Sequence, residues 1–133
     1  VITGAASGIG LGIASALARR GAKVILADIQ ADRAAEAAKT LCDQGLEAAS
    51  AALDVTEESS WAALAELAPT LFGQPVQMLF NNAGVASGGP IWESTEKDWK
   101  WVFAVNVDGV ANGVRSFTPR MLAAAAAGRC VPS

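Results

Sequence analysis

The chain contains no histidine and no tyrosine, and its two cysteines, Cys42 and Cys130, stand far apart without a C-x-x-C pair. These absences exclude the usual zinc-ligand patterns and a disulfide framework, and two semi-buried thiols in a reducing compartment are expected instead. Charged residues make up only 17% of the 133 positions, the net charge is −3, and no lysine or arginine cluster occurs. Neither nucleic acid nor an anionic membrane is therefore an expected partner. No apolar run reaches the roughly 18 residues that suggest a membrane span, and the start lacks the basic stretch of a signal peptide, which makes a cytoplasmic location the default expectation. The first residue is Val1, and an opening strand of residues 1–3 is shorter than the usual length of about 5–6, so the chain reads as truncated at its start.

What is present is a chain 52% apolar, enough to bury the core of a single domain, in which short apolar runs alternate with helical patterns. The stretch Thr3-Gly4-Ala5-Ala6-Ser7-Gly8-Ile9-Gly10 opens it. Gly4, Gly8 and Gly10 suit a sharp exit from a strand, a backbone approach to a pyrophosphate, and close packing of helix on sheet. The N–H groups of the first helical turn, including those near Ser7 and Ile9, then face an anion that the helix dipole favours.

Further along, Ile9, Ile13 and Leu17 mark the buried stripe of the first helix, which Gly21 stops. Residues 23–27 read as a buried strand ending at Asp28. Ala34, Ala38 and Leu41 mark a second helix closed by Gly45, and residues 46–55 contain a third strand that ends at Asp54 and Val55. Thr56 is the expected N-cap of a third helix with Trp61, Leu64, Ala68 and Leu71 buried, and Pro69 should kink or tighten its last turn. Residues 76–80 read as a fourth strand, followed by Asn81-Asn82-Ala83-Gly84 and a Gly/Ser-rich loop to Pro90.

Thr95-Glu96-Lys97-Asp98 has capping-box spacing. From there Trp99, Phe103, Asn106, Val110, Val114, Phe117 and Met121 follow one helical face, with Pro119 starting a fresh turn capped by Thr118 and Gly128 ending the helix. On that face an unpaired amide costs about 1–3 kcal/mol, so Asn106 is expected to be buried and partnered. Cys130 and Val131 begin a fifth strand. The alternation predicts an α/β fold: one incomplete Rossmann-type domain over residues 1–133, a parallel sheet with helices on both faces.

The T-G-x-x-x-G-x-G spacing, Asp28 after the second strand, the Asn81-Asn82-Ala83-Gly84 run and Asn106-Val107-Asp108-Gly109 together resemble the short-chain dehydrogenase/reductase family, in the family's order and across the whole chain. The resemblance implies an NAD-dependent oxidoreductase that interconverts a small alcohol and a carbonyl by hydride transfer, commonly as a homo-oligomer. It places Gly4, Ser7, Gly8, Ile9 and Gly10 at the diphosphate, and Asp28 and Ile29 at the adenosine ribose. Asp54 and Val55 fall at the adenine, beside a third strand adjacent to the first, and Asn82, Ala83 and Gly84 at the second ribose.

Asp28 accepts hydrogen bonds from ribose hydroxyls, each contributing about 1.5–3 kcal/mol, and repels a 2′-phosphate, so NAD is expected over NADP. Ser7 agrees, standing where many NADP-using members carry a basic residue. The resemblance gives Asn106 a place in the catalytic proton relay through a bound water. Each position also has a plainer reading: Asp28 and Asp54 as helix-cap residues, Asn81-Asn82 as a turn, Asn106 as a surface amide.

The family's chemistry rests on a serine and a Y-x-x-x-K pair, and this sequence has no tyrosine. The family's serine falls just past Ser133. Two readings remain: the cofactor-binding half of an enzyme, inactive alone, or a non-catalytic dinucleotide-binding or regulatory module ending at Ser133.

Overall fold

The computed structural model describes residues 1–128. Three parallel strands, β1 (Ile2–Thr3), β2 (Val24–Asp28) and β3 (Ala48–Ala52), lie in the order β1-β2-β3, with Ile2 opposite Leu26 and Val24 opposite Ala48. Phe80 bridges to the other edge of β1, its N–H donating to the Val1 carbonyl at 2.9 Å and its carbonyl accepting from Thr3 N at 3.0 Å. Both edges of β1 are thus taken, and the third strand pairs with β2 rather than with the first. The fourth strand expected over residues 76–80 is reduced to this bridge, because the β1 segment offers so few residues to pair with. β3 stops at Ala52, and Asp54 and Val55 come just after its end.

Alternation along β2 divides the interior in two. Val24 and Leu26 face Ala14 and Ala18 of α1 (Gly8–Ala18) and Ala38 and Leu41 of α2 (Ala31–Asp43). Ile25 and Ala27 face Trp61, Leu64, Ala65 and Ala68 of α3 (Glu58–Phe72) and Phe117 of α5 (Gly109–Ala126). Helices cover both faces, as the alternation predicts.

The helices differ from expectation in three places. In α1 the buried line is Gly10, Ala14 and Ala18, while Ile9 is 78% exposed and Ile13 and Leu17 only flank the core. The helix lies so close to the sheet that only small side chains fit between them. In α3 the stripe is as predicted, with Ala65 added and Leu71 partly buried, but Glu57 is the N-cap. The Thr56 hydroxyl turns back to Asp54 Oδ1 at 2.7 Å, a local bond that competes with capping. The helix continues through Pro69 to Phe72, and Gly73, at φ +64°, closes it.

The long C-terminal segment is not one regular helix. α4 (Glu96–Phe103) starts with the predicted Thr95–Asp98 capping box, and a π-turn over Ala104–Asp108 joins it to α5. A π-turn rotates the succeeding helix relative to an α-helical register, so residues spaced by three or four across it do not share a face. Trp99 is 44% and Phe103 52% exposed, while Gly109, Asn112, Gly113, Phe117 and Ala124 form the buried line of α5. Pro119 starts no fresh turn, since α5 runs through it, and Gly128 lies past the helix end at φ +70°. Cys42 is exposed rather than semi-buried. Cys130, Val131 and Ser133 lie outside the described residues. Among the described residues no helix is long and apolar enough to cross a membrane.

Candidate functional site

The carboxyl ends of β1, β2, β3 and the Phe80 segment open at one end of the sheet. β2 lies to one side of β1 and Phe80 to the other, so the order reverses at β1, where open α/β sheets hold their ligands. The glycine loop leaves β1 at this switch point. Gly4 and Gly8 have φ of +64° and +54°. A Cβ on Gly4 would also stand 2.9 Å from Ala83 Cα, whereas one on Gly8 would meet nothing within 4 Å. Gly10 needs no unusual dihedral; a Cβ there would sit 2.2 Å from the Gly4 carbonyl oxygen and 2.6 Å from Asn82 Nδ2. Ser7 is extended and its side chain caps no N–H of α1, leaving the helix start to an outside acceptor. Ser7, Gly8 and Ile9 are exposed around it. The open space over Gly8 and the uncapped helix start fit a diphosphate.

Asn82 fastens the next segment to this loop. Its Nδ2 donates to Thr3 O at 2.9 Å and Gly4 O at 3.3 Å. The Thr3 hydroxyl, on a residue 1% exposed, accepts from the backbone N–H of both Asn82 and Ala83, each at 3.0 Å, and donates to Phe80 O. Thr3 is a structural residue: it opens the T-G-x-x-x-G-x-G motif, but the motif gave its hydroxyl no role. The available signal was a hydroxyl in an otherwise apolar strand directly before Gly4.

At the end of β2 the Asp28 carboxylate accepts from Ala6 N through Oδ2 (3.0 Å) and from Gln30 N through Oδ1 (2.9 Å). Ile29 beside it is 67% exposed. Asp54 Oδ1 accepts from Thr56 N at 2.9 Å and its own N–H donates to Ser60 Oγ, so it shapes its own turn. The Val55 carbonyl accepts from Trp61 Nε1 (2.9 Å) and Asn112 Nδ2 (3.3 Å). The Val55 side chain lies against Gly109, where a Cβ would come within 2.9 Å of Cγ2.

Asn106 sits in the π-turn. Its Oδ1 accepts from Val85 N and its Nδ2 donates to Val85 O, both at 2.8 Å. The amide is partnered as expected but exposed rather than buried, because the π-turn takes it off the apolar face. It touches the loop after Gly84, where a Cβ would stand 3.3 Å from Asn106 Oδ1. Gly4, Gly10, Asn82, Ala83, Asp28 and Ala6 thus form one connected cluster. Asp54 and Val55 follow Leu53, whose N–H donates to the Asp28 carbonyl at 2.9 Å, and Asn106 is tied to the Val85 loop that follows Gly84. A cavity of about 780 Å³ lies at the other end of the sheet, among Leu17, Val24, Phe72 and Val76, away from this cluster. No group of three or more potential metal ligands occurs among the described residues.

Fold and site define a Rossmann-type domain with the glycine loop of a dinucleotide binder. The sequence matches the short chain dehydrogenase family over residues 1–132, and the chain belongs to that family. It is 39% identical over 130 residues to a C alpha-dehydrogenase of a Sphingobium species, covering 98% of this chain and 43% of that protein. A crystal structure of a short chain dehydrogenase/reductase from Burkholderia phymatum in complex with NAD is 48% identical. It superposes with a TM-score of 0.86 over 92% of this chain and 43% of its own. A gluconate 5-dehydrogenase from Burkholderia cenocepacia, in complex with NADP and tartrate, is 34% identical with a TM-score of 0.84 over 92% and 48%. The chain spans a little under half the length of these relatives.

Proposed function

We propose that this chain is the cofactor-binding part of an NAD-dependent short-chain dehydrogenase/reductase that interconverts a small alcohol and a carbonyl in the cytoplasm as a homo-oligomer. The observation that carries the cofactor reading is the Asp28 carboxylate at the end of β2, bonded to Ala6 of the glycine loop, with uncharged Ser7 in that loop. One related structure holds NAD and another NADP, so the choice falls to these residues.

Gly4, Ser7, Gly8, Ile9 and Gly10 would hold the diphosphate. Asp28 and Ile29 would hold the adenosine ribose, Asp54 and Val55 the adenine, and Asn82, Ala83 and Gly84 the second ribose. A 2′-phosphate beside Asp28 meets repulsion of about 1–4 kcal/mol per unit charge, depending on solvent exposure. When bound, the nicotinamide gives or takes the hydride. Asn106, fixed at both ends of its amide by Val85, would hold a water of the proton relay. The acid–base tyrosine is not among the 133 residues, so the chain alone is expected to bind cofactor without turnover.

Calorimetric titration with NAD and NADP tests the reading. NAD should bind at least about tenfold more tightly, a difference of about 1.4 kcal/mol, and tighter NADP binding would falsify it. NAD binding without turnover on any alcohol or carbonyl, by the protein as its gene encodes it, would instead select a non-catalytic dinucleotide-binding module.

A further inference from the structure

Asp28 does more than face an incoming ribose. Both of its oxygens already accept backbone N–H groups, Oδ2 from Ala6 at 3.0 Å and Oδ1 from Gln30 at 2.9 Å. Ala6 lies between Gly4 and Gly8, 22 residues from Asp28, and next to it Ala5 N donates to the β2 carbonyl of Ala27 at 3.3 Å. The other flank of the loop is held by Asn82 on the Gly4 carbonyl. Between these anchors Ser7 and Gly8 are exposed, and nothing approaches within 4 Å of a Cβ placed on Gly8. The Asp28–Ala6 bond is therefore the last fixed point of the loop before the helix start.

We propose that Asp28 is a positioning residue of the glycine loop, so that the group which selects the cofactor's ribose also sets the order of the diphosphate site. This rests on the dinucleotide reading above. A carboxylate offers about four acceptor positions; two serve the backbone and two remain for ribose hydroxyls. Asparagine cannot substitute, since its NH₂ must face either the Ala6 or the Gln30 N–H, donor against donor. Replacing Asp28 to admit a 2′-phosphate therefore loosens the loop for any diphosphate.

The test uses Asp28→Asn in the protein as its gene encodes it, with inorganic pyrophosphate as a probe that has no ribose, and amide hydrogen exchange at Ala6 without ligand. The expected result is pyrophosphate binding about tenfold weaker, together with faster Ala6 exchange. Removal of a negative charge alone would tighten pyrophosphate binding, so the sign separates positioning from electrostatics. Unchanged Ala6 exchange overturns the proposal whatever the affinities do. Faster exchange with unchanged or tighter pyrophosphate binding overturns it as well. Asp28→Ser, with one short acceptor, is judged by the same criteria if the amide variant does not fold. Failure of the NAD reading is separate: it shows as tighter NADP binding by the unsubstituted protein and leaves the pyrophosphate result intact.

Discussion

Gly8, Gly10 and Gly12 sit within one turn and a half of each other, and their replacement by alanine should give three different outcomes. Gly8→Ala meets open space at φ +54° and should cost about 1–2 kcal/mol of backbone strain. Gly10→Ala drives a Cβ to 2.2 Å from the Gly4 carbonyl, backbone against backbone, and should cost about 1–3 kcal/mol and abolish NAD binding. Gly12→Ala, exposed inside α1 with nothing within 4 Å, should stabilise by about 0.5–1 kcal/mol. Urea unfolding of the three variants checks the order, and equal losses would show that the loop does not have this geometry. The spacing of Gly4, Gly8 and Gly10 was legible because turns and close approaches demand glycine locally. The reason for Gly10 was not, since its contacts, Gly4 O and Asn82 Nδ2, are brought together by the fold. Asn106→Leu removes both Val85 bonds and should leave NAD affinity unchanged while slowing turnover of the complete enzyme. Steady-state kinetics with unchanged turnover would remove Asn106 from the proton relay.

Among the elements, α4 shows how much a local pattern predicts. The Thr95 hydroxyl accepts from Asp98 N and the Asp98 carboxylate accepts from Thr95, as the spacing promised, so Thr95→Ala should cost about 1 kcal/mol. Those bonds from the Thr95 side chain and backbone hold the Asp98 carboxyl below its ordinary value of 3.8. The stability they add is therefore present above that value and lost as pH falls through the lowered one. Unfolding followed against pH should show this acid-side loss in the native chain and a flatter profile in Asp98→Ala.

The α3–α5 contact depends on partners far apart in sequence. Trp61 is fully buried, meets Phe117 edge-on at 6.0 Å and 74°, and donates to the Val55 carbonyl. Trp61→Ala should cost about 3–5 kcal/mol in thermal unfolding, with a loss below 1 kcal/mol counting against this packing. The period of α3 pointed to Trp61; nothing in it pointed to Val55 as the acceptor.

For the whole molecule, stability resides in the two apolar layers on either side of the sheet rather than in its ion pairs. Arg115–Glu58 and Arg120–Glu66 link α5 to α3, yet each partner is at least half exposed, so Arg115→Ala should change stability by less than about 1 kcal/mol. A chemical denaturation curve showing a larger loss would assign that contact a structural role. The sequence alone determined the first three strands and the helices that alternate with them, the glycine loop, the acidic residue at the end of β2 and the capping box. Each arises from a demand made within a few residues: a positive φ, a free helix start, a period of two or of 3.6. Tertiary structure decided which side of α1 is buried, that β3 lies beside β2, that Asn106 is exposed, and that Asp28, Thr3 and Val55 hold partners 22, 79 and 57 residues away. Such partners are chosen by the crossing of helices over the sheet and by one π-turn, and a periodic pattern contains neither.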